Sequence, residues 1–355
     1  MYARRLSCTA VRQVEWERFQ IPETPGPHDL IVRSACSLIS AGTEIAVYSG
    51  SHIGFALANP PEWLKFPVSM GYALAGTVEA VGEAVQEWAA GDRVLVHAAH
   101  GDWAVLDART VPVHRLPAGI SMAEGALARL AAISLVGVRQ GGIALGETVV
   151  VLGLGLIGQF AAQLSRLAGG RPVIGADLIP NRVRVAASHG LQALDPNETD
   201  VISAVKEMTG GRMAEVVIEA TGNPKALPLA LDLAAEGGRA VLLGSLRGKV
   251  EIDVYSSVHR KGISLIGAHD RLSAHAHTPR DPWTRERNLD LALNLLADDA
   301  LKSEGLISHR IQPDKVGETY EMLIQRPQDF LGVLIEWNQD YARTRLSTSV
   351  GRDNP

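Results

Sequence analysis

The spacing of apolar positions changes along the chain, and the change divides it. Over the first 115 or so residues the apolar runs are short and bounded by Gly and Pro. Asp29-Leu-Ile-Val-Arg33 and Gly76-Thr-Val-Glu-Ala-Val81 read as strands, and Gly91-Asp-Arg-Val-Leu-Val96 as a turn running into a strand. After Pro117 the pattern becomes helical. Ser121-Met-Ala-Glu124 has capping-box spacing, a hydroxyl and a carboxylate three residues apart that satisfy open amides at a helix start, and an Ala/Leu-rich helix is predicted to about Val138. From Glu147 strand and helix alternate. Strands are predicted at Thr148–Leu152, Pro172–Ala176, Glu215–Glu219, Ala240–Gly244 and Gly262–Gly267, and helices at Gly158–Ala168, Arg182–His189 and Ala226–Ala235. Continuously apolar strands separated by helices predict a parallel sheet covered on both faces. A polar loop to Trp283, a helix from Thr284 to Leu296 and a last strand, Gly332–Ile335, complete the chain, with no internal repeat and a polar end from Arg343 to Pro355.

Composition narrows the class. At about 150 residues per domain, 355 residues make roughly two domains. A net charge of −5 and a pI near 6.1 argue against a nucleic-acid partner. No apolar run approaches the roughly 18 residues of a membrane span, so no membrane partner is expected. Met1–Val14 carries Arg4 and Arg5 but no apolar core of a secretory leader. Cys8 and Cys36 are too few for a disulfide framework or a cysteine zinc cluster. Together these predict a cytoplasmic protein.

One motif carries clear chemistry. Gly153-Leu-Gly155-Leu156-Ile157-Gly158 lies between a predicted strand and helix, and Asp177 ends the next strand 19 residues beyond Gly158. Gly153 permits the tight turn, Gly155 the approach of a pyrophosphate, and Gly158 close helix–strand packing, while the helix start offers open N–H groups to phosphates. A carboxylate at Asp177 accepts from ribose hydroxyls and repels a 2′-phosphate, so NAD is expected over NADP; Arg182 softens that preference if it reaches the same pocket. Thr221-Gly222 and Gly244-Ser245 end later strands at the same sheet edge, and His269 follows another, so all are expected near the nicotinamide half.

The β-rich start, Gly76-Thr-Val-Glu-Ala-Val-Gly82, Gly91-Asp-Arg-Val94, the glycine turn and the final return strand resemble, in that order, the medium-chain dehydrogenase/reductase family. The resemblance implies an α/β protein: a GroES-like β-rich catalytic domain from residues 1–119 and 269–355, a Rossmann domain at 120–268, and a cleft where nicotinamide meets substrate. It also implies three catalytic zinc ligands. Their positions hold Ala41, Tyr72 and Arg129, so the site is expected to be metal-free. Ser40-Ala-Gly-Thr-Glu44 is also similar to zinc-free bacteriochlorophyllide hydroxyethyl dehydrogenases. The family's habit of pairing Rossmann sheets through the last strand, here Ile263–Gly267, implies a homodimer or homotetramer.

Without zinc, side chains must take the hydroxyl proton and stabilise the alkoxide. Thr43 matches the family's proton-relay hydroxyl, although the next relay position holds Ala46. Two acid/base candidates stay open, Tyr72 with Arg129 as a supporting cation, or His100; Glu44 is expected to orient its neighbours. His275-Ala-His277 with Asp281 reads as a polar loop, and Trp63, Trp103 and Trp283 as pocket or packing residues. The function expected is a zinc-independent, NAD-dependent oxidoreductase. It would interconvert a secondary alcohol, polyol or sugar-like hydroxyl and its ketone. The alternatives are a quinone or enoyl reductase of the same family, or an NAD-binding protein without catalysis.

Overall fold

In the computed structural model, which describes residues 1–274, 278 and 282–337, the chain opens with a hairpin that the apolar pattern does not announce. Strands β1 (Tyr2–Ala10) and β2 (Gln13–Gln20) pair antiparallel, and Arg12 turns between them at φ 60°. Strand β3 (Asp29–Ile39) runs into helix α1 (Ala41–Tyr48). Strand β4 (Val68–Ser69) joins β1, and β5 (Leu74–Val81), β6 (Arg93–Val96), β7 (Trp103–Asp107) and β8 (Val113–Arg115) build a larger sheet with β3. Leu74 on β5 lies opposite Ser37 on β3 and opposite Val96 on β6, both antiparallel. That register sets Tyr72, two residues before Leu74, between the far ends of β3 and β6.

Helix α2 (Met122–Gly141) begins at the predicted capping box: the Glu124 amide donates to Ser121 Oγ (3.2 Å) and the Ser121 amide to Glu124 Oε2 (2.7 Å). Then follow β9 (Val149–Leu152), α3 (Leu156–Leu167), β10 (Val173–Ala176), α4 (Pro180–Ser188), β11 (Gln192–Leu194), α5 (Val201–Met208) and β12 (Ala214–Glu219). Helix α6 (Leu227–Leu233), β13 (Ala234–Leu242), β14 (Ser264–Gly267) and α7 (Arg285–Ala297) complete the run. The strands are parallel in the order β11-β10-β9-β12-β13-β14. Every residue of β9 is buried, which explains its unbroken apolar run. The order reverses between β9 and β12, and ligands of such sheets bind outside the carboxyl ends at that point. Helix α6 stops at Leu233, short of the expected Ala235, because Ala234 already pairs with Ala214 in the sheet. The last strand starts at Ser264 because Gly262 is a turn residue at φ 64°.

The chain then returns through β15 (Ile307–Ile311), α8 (Val316–Gln325) and β16 (Gly332–Glu336), with β16 antiparallel to β3. Both ends of the chain share one core: Leu6, Cys8, Ile39, Val47 and Tyr48 with Tyr320, Val333 and Ile335. Met1–Leu127 and the residues from Ile307 onward form one unit, and Ala128–Leu306 the other. The second crossing falls later than the expected 268/269. The reason is local bonding: Arg139 Nε on α2 donates to Asn288 Oδ1 on α7 (2.9 Å), and the Lys302 amide donates to Gln163 Oε1 on α3 (2.7 Å). The first crossing falls within α2, eight residues beyond the expected 119/120. Cys8 and Cys36 are buried free thiols, and among the described residues no helix is long and apolar enough to cross a membrane. The polar end from Arg343 lies outside the described residues.

Candidate active site

In the Rossmann unit the glycine turn takes the form its spacing predicts. Gly153 has φ +87°, and a side chain there would also strike Thr221 at 2.8 Å. A Cβ on Gly158 would stand 1.7 Å from the Gly153 carbonyl oxygen, so helix and turn touch only because the side chain is absent. Gly155 differs: its backbone is ordinary (φ −64°, ψ −179°), and a Cβ would meet nothing closer than Arg182 Nη1 at 4.0 Å. The space in front of Gly155 is therefore open. Gly155 caps α3 without a side-chain bond, which leaves the first-turn amides of Leu156, Ile157 and Gly158 without intrahelical acceptors. These features fit a dinucleotide pyrophosphate.

Asp177 is mostly buried and already spans two backbone groups. Its Oδ2 accepts from the Leu154 amide (2.6 Å) and its Oδ1 from the Ile179 amide (2.8 Å). Arg182 Nη1 lies 3.6 Å from Asp177 Oδ2, so a cation shares the pocket with the carboxylate. The simple picture of a carboxylate repelling a 2′-phosphate is weakened accordingly. Thr221 is exposed at the end of β12, Gly222 follows at φ +70°, and Gly244 and the exposed Ser245 follow β13. His269, expected near cofactor, caps a short turn: the Arg271 amide donates to its Nδ1 (3.1 Å). His275, His277 and Asp281 lie outside the described residues.

In the β-rich unit the structure separates the two acid/base candidates. His100 is fully buried. Its Nε2 faces Glu44 Oε2 at 2.9 Å and its Nδ1 faces Ser37 Oγ at 2.8 Å. A carboxylate only accepts, so Nε2 carries the proton. Glu44 also accepts from the Ser40 amide (2.7 Å) and the Tyr320 hydroxyl (2.5 Å), and Trp337 Nε1 donates to Ser37 Oγ (3.1 Å). Burial by itself pushes the Glu44 carboxyl up, but the charge and hydrogen bond of His100, with the hydrogen bonds from the Tyr320 hydroxyl and the Ser40 amide, hold it below the usual carboxylate range. Burial first, and Glu44 second, push the Tyr320 phenol well up. Even the glycine before Tyr72 belongs to this network, since a Cβ on Gly71 would lie 2.7 Å from the His100 ring. Both nitrogens of His100 are thus hydrogen-bonded inside the core of this unit, unlike the half-buried Tyr72.

Tyr72 stands elsewhere. Its hydroxyl donates to Ser40 Oγ in a short hydrogen bond, and its ring stacks on the exposed His97 (centroids 5.8 Å apart, planes 20° apart). The β3–β5–β6 register brings these three together from separate segments. Sequence reasoning gave Ser40 and His97 no role, although Ser40 opens the Ser40–Glu44 stretch, because only the register joins them to Tyr72. Thr43 lies half-buried in the first turn of α1. Arg129 Nη2 donates to Asp270 Oδ2 (2.8 Å), and Arg285 Nε lies 3.5 Å from the same oxygen. The zinc-ligand positions thus hold a methyl group, a phenol and a guanidinium, a donor set that does not fit zinc. Among the described residues no cluster of three or more His, Cys, Asp or Glu is arranged to hold a metal. The tryptophans pack: Trp63 edge-on to His52 (5.3 Å), Trp103 against the Ala3, Ile21 and Ile31 cluster, and Trp283 between Arg139 (3.4 Å) and Arg287 (4.2 Å).

Comparison with known proteins places this architecture. Residues 26–151 match the alcohol dehydrogenase GroES-like domain, and residues 157–274 match the zinc-binding dehydrogenase domain. D-guloside 3-dehydrogenase of Escherichia coli (strain K12) is 29% identical over 276 residues, 76% of this chain and 78% of that protein. L-galactonate-5-dehydrogenase of the same strain is 27% identical over 344 residues, 89% and 94% of the two chains. A protein of Sinorhizobium meliloti 1021, solved bound to NADP, superposes with a TM-score of 0.77 at 25% identity, covering 95% of this chain and 99% of that one. The chain belongs to the medium-chain dehydrogenase/reductase family, in its alcohol dehydrogenase-like group. Its two units are the GroES-like and Rossmann domains of that family, and its class is dehydrogenase.

Proposed function

We propose that the protein is a zinc-independent, NAD-dependent dehydrogenase that interconverts a secondary alcohol of a polyol or sugar-like molecule and its ketone. The single observation that carries the zinc-free part is the Tyr72 phenol, which stands where the family resemblance implies a metal ligand, hydrogen-bonded to Ser40 and stacked on His97. The relatives act on sugar-derived hydroxyls by name, a guloside and a galactonate, which supports the substrate class.

The Rossmann unit would hold the dinucleotide: Gly153, Gly155 and Gly158 shape the pyrophosphate turn, the amides of Leu156, Ile157 and Gly158 face the phosphates, and Asp177 faces the ribose. Thr221, Gly222, Gly244, Ser245 and His269 would lie along the nicotinamide side. The bound nicotinamide supplies the hydride acceptor. This chain's own residues handle the proton. Tyr72 first gives up its own hydroxyl proton through Ser40 Oγ, to which it donates, and the phenolate so formed takes the proton from the substrate hydroxyl; His97 packs on the ring and Thr43 orients the substrate. Glu44 and His100 hold the α1 start and the Gly71 turn, and so fix Ser40 and Tyr72. A phenol needs support to act near neutrality, because its usual pKa is about 10.

Arg182 beside Asp177 supports a second reading of cofactor choice, in which NADP is also accepted. We also assign a cytoplasmic location, consistent with two free thiols, and a homodimer or homotetramer. In that assembly the edge strand β14, which exposes Leu265, would pair with its copy. The test is an assay of purified protein with NAD and NADP against polyols, aldonates, glycosides and enones. NAD-dependent oxidation of a polyol or sugar-like hydroxyl is the expected result. Turnover of enones alone would replace the proposal with a quinone or enoyl reductase, and dinucleotide binding without any turnover would leave a non-catalytic NAD-binding protein.

A further inference from the structure

Glu219 is a buried acid that the reaction outlined above does not use. It ends β12, where the register sets it opposite Leu152 on β9 and Leu242 on β13. That is the carboxyl edge of the sheet at the point where strand order reverses. The residue is fully buried. One oxygen, Oε1, accepts from the Thr221 amide (2.7 Å) and, in a short hydrogen bond, from the Thr221 hydroxyl. The other, Oε2, is buried with no hydrogen-bond partner and faces Gly244, where an added Cβ would lie 2.7 Å from it. The Glu219 carbonyl oxygen accepts from the amides of Leu243 (2.9 Å) and Gly244 (2.7 Å). Thr221 in turn lies against Gly153, 2.8 Å from where a Cβ would be. The side chain is thus bonded to the turn after β12 and packs against Gly244 in the turn after β13, whose amides the main-chain carbonyl holds, and through Thr221 it abuts the glycine turn.

A surface acid would gain nothing here, since a buried carboxyl is costly unless its position does work. Burial pushes the Glu219 carboxyl above the usual range, against the hydrogen bonds from Thr221 that pull it down. We propose that Glu219 is a positioning residue for the nicotinamide half of the dinucleotide: it sets the Thr221–Gly222 and Gly244–Ser245 turns at a fixed height over the sheet edge, without touching the ligand. This rests on the reading that a dinucleotide binds at this edge. The adenosine half is held by a different set, Asp177 and the α3 start, none of which bonds to Glu219.

The two halves therefore respond differently, and ADP-ribose, which lacks nicotinamide, separates them. Dissociation constants for NADH and ADP-ribose would be measured on wild type, Glu219→Ala, Glu219→Gln and Thr221→Val. Glu219→Ala is expected to weaken NADH about tenfold, the scale of one or two lost hydrogen bonds, and ADP-ribose, whose pyrophosphate meets the glycine turn beside Thr221, by no more than about threefold. Glu219→Gln keeps an acceptor for Thr221 and the side-chain volume, and should stay within about threefold of wild type. Thr221→Val, which keeps the amide and the shape, should weaken NADH alone by a smaller factor, and carries the test if Glu219→Ala does not fold. Equal loss of both ligands, or NADH affinity unchanged in Glu219→Ala and Thr221→Val, overturns the proposal. Wild type binding neither ligand overturns the cofactor reading beneath it instead.

Discussion

The two units keep their polar groups in different ways. At the Rossmann turn the open polar groups are main-chain amides, and the sequence contributes mainly by leaving side chains out: Gly158 touches the Gly153 carbonyl and Gly155 faces open space. In the GroES-like unit the bonded polar groups are side chains, gathered from β3 and the start of α1, the segment before β5, the loop after β6 and the C-terminal return. The first kind of site is set by local spacing. The second depends on strand register over the whole unit, and within it two histidines three residues apart, His97 and His100, have opposite environments, one exposed and one sealed.

That contrast can be broken experimentally, and the turn offers the largest effect. Gly158→Val forces a clash with backbone and should both destabilise the domain and abolish NADH binding. Gly155→Val should leave thermal stability near wild type, since its Cβ meets open space, yet weaken NADH at least about a hundredfold, roughly 2.7 kcal/mol. If Gly155→Val binds NADH normally in a fluorescence titration, the pyrophosphate does not lie there.

The buried network comes next. Glu44→Ala leaves His100 and the Tyr320 hydroxyl facing a hole, and breaking a buried charged network of this kind costs about 3–5 kcal/mol. Denaturant unfolding checks this. His100→Ala should behave likewise, losing stability while folded protein retains kcat within a few-fold; a selective collapse of kcat with stability intact would restore His100 as the acid/base. Tyr72→Phe is expected to reverse the pattern. Its kcat should fall by about 10²-fold or more, the usual contribution of a positioned acid/base, with unfolding free energy changed by about 1 kcal/mol or less.

The pH dependence of stability follows from the same network. Glu44 is held below the usual carboxylate range in the folded state, whereas an unfolded Glu titrates near about 4.3. Its contribution is therefore complete above that pH and is lost as pH falls toward the folded value. Glu44→Gln should flatten the acid limb of the stability profile; a limb as steep as wild type would show that other carboxylates set it. Arg182→Ala carries the smallest expected effect, a shift of about tenfold or less in the ratio of NAD to NADP affinities, toward NAD.

Legibility in the sequence divides along the same line as the chemistry. The glycine turn, the capping box at Ser121 and the parallel strands follow from rules acting over a few residues, and they fold where spacing puts them. The β1–β2 hairpin escaped because Gln13–Gln20 alternates charged with partly exposed apolar residues and buries no continuous face. The burial of His100 was not legible, because a histidine near an expected cleft looks the same in sequence whether it faces solvent or Glu44. Tyr320 and Trp337, which close that network, lie more than 200 residues from it in sequence and belong to no motif. Glu219 read simply as the end of a strand, and only the switch in strand order gives its position meaning.

We propose that proton transfer here rests on side chains where the family resemblance implies a metal. Turnover of enzyme exhaustively treated with a strong zinc chelator, with metal content determined on the same sample, decides it. Full kcat is expected at well under one metal ion per chain. Activity lost on chelation and restored by one equivalent of zinc would contradict it.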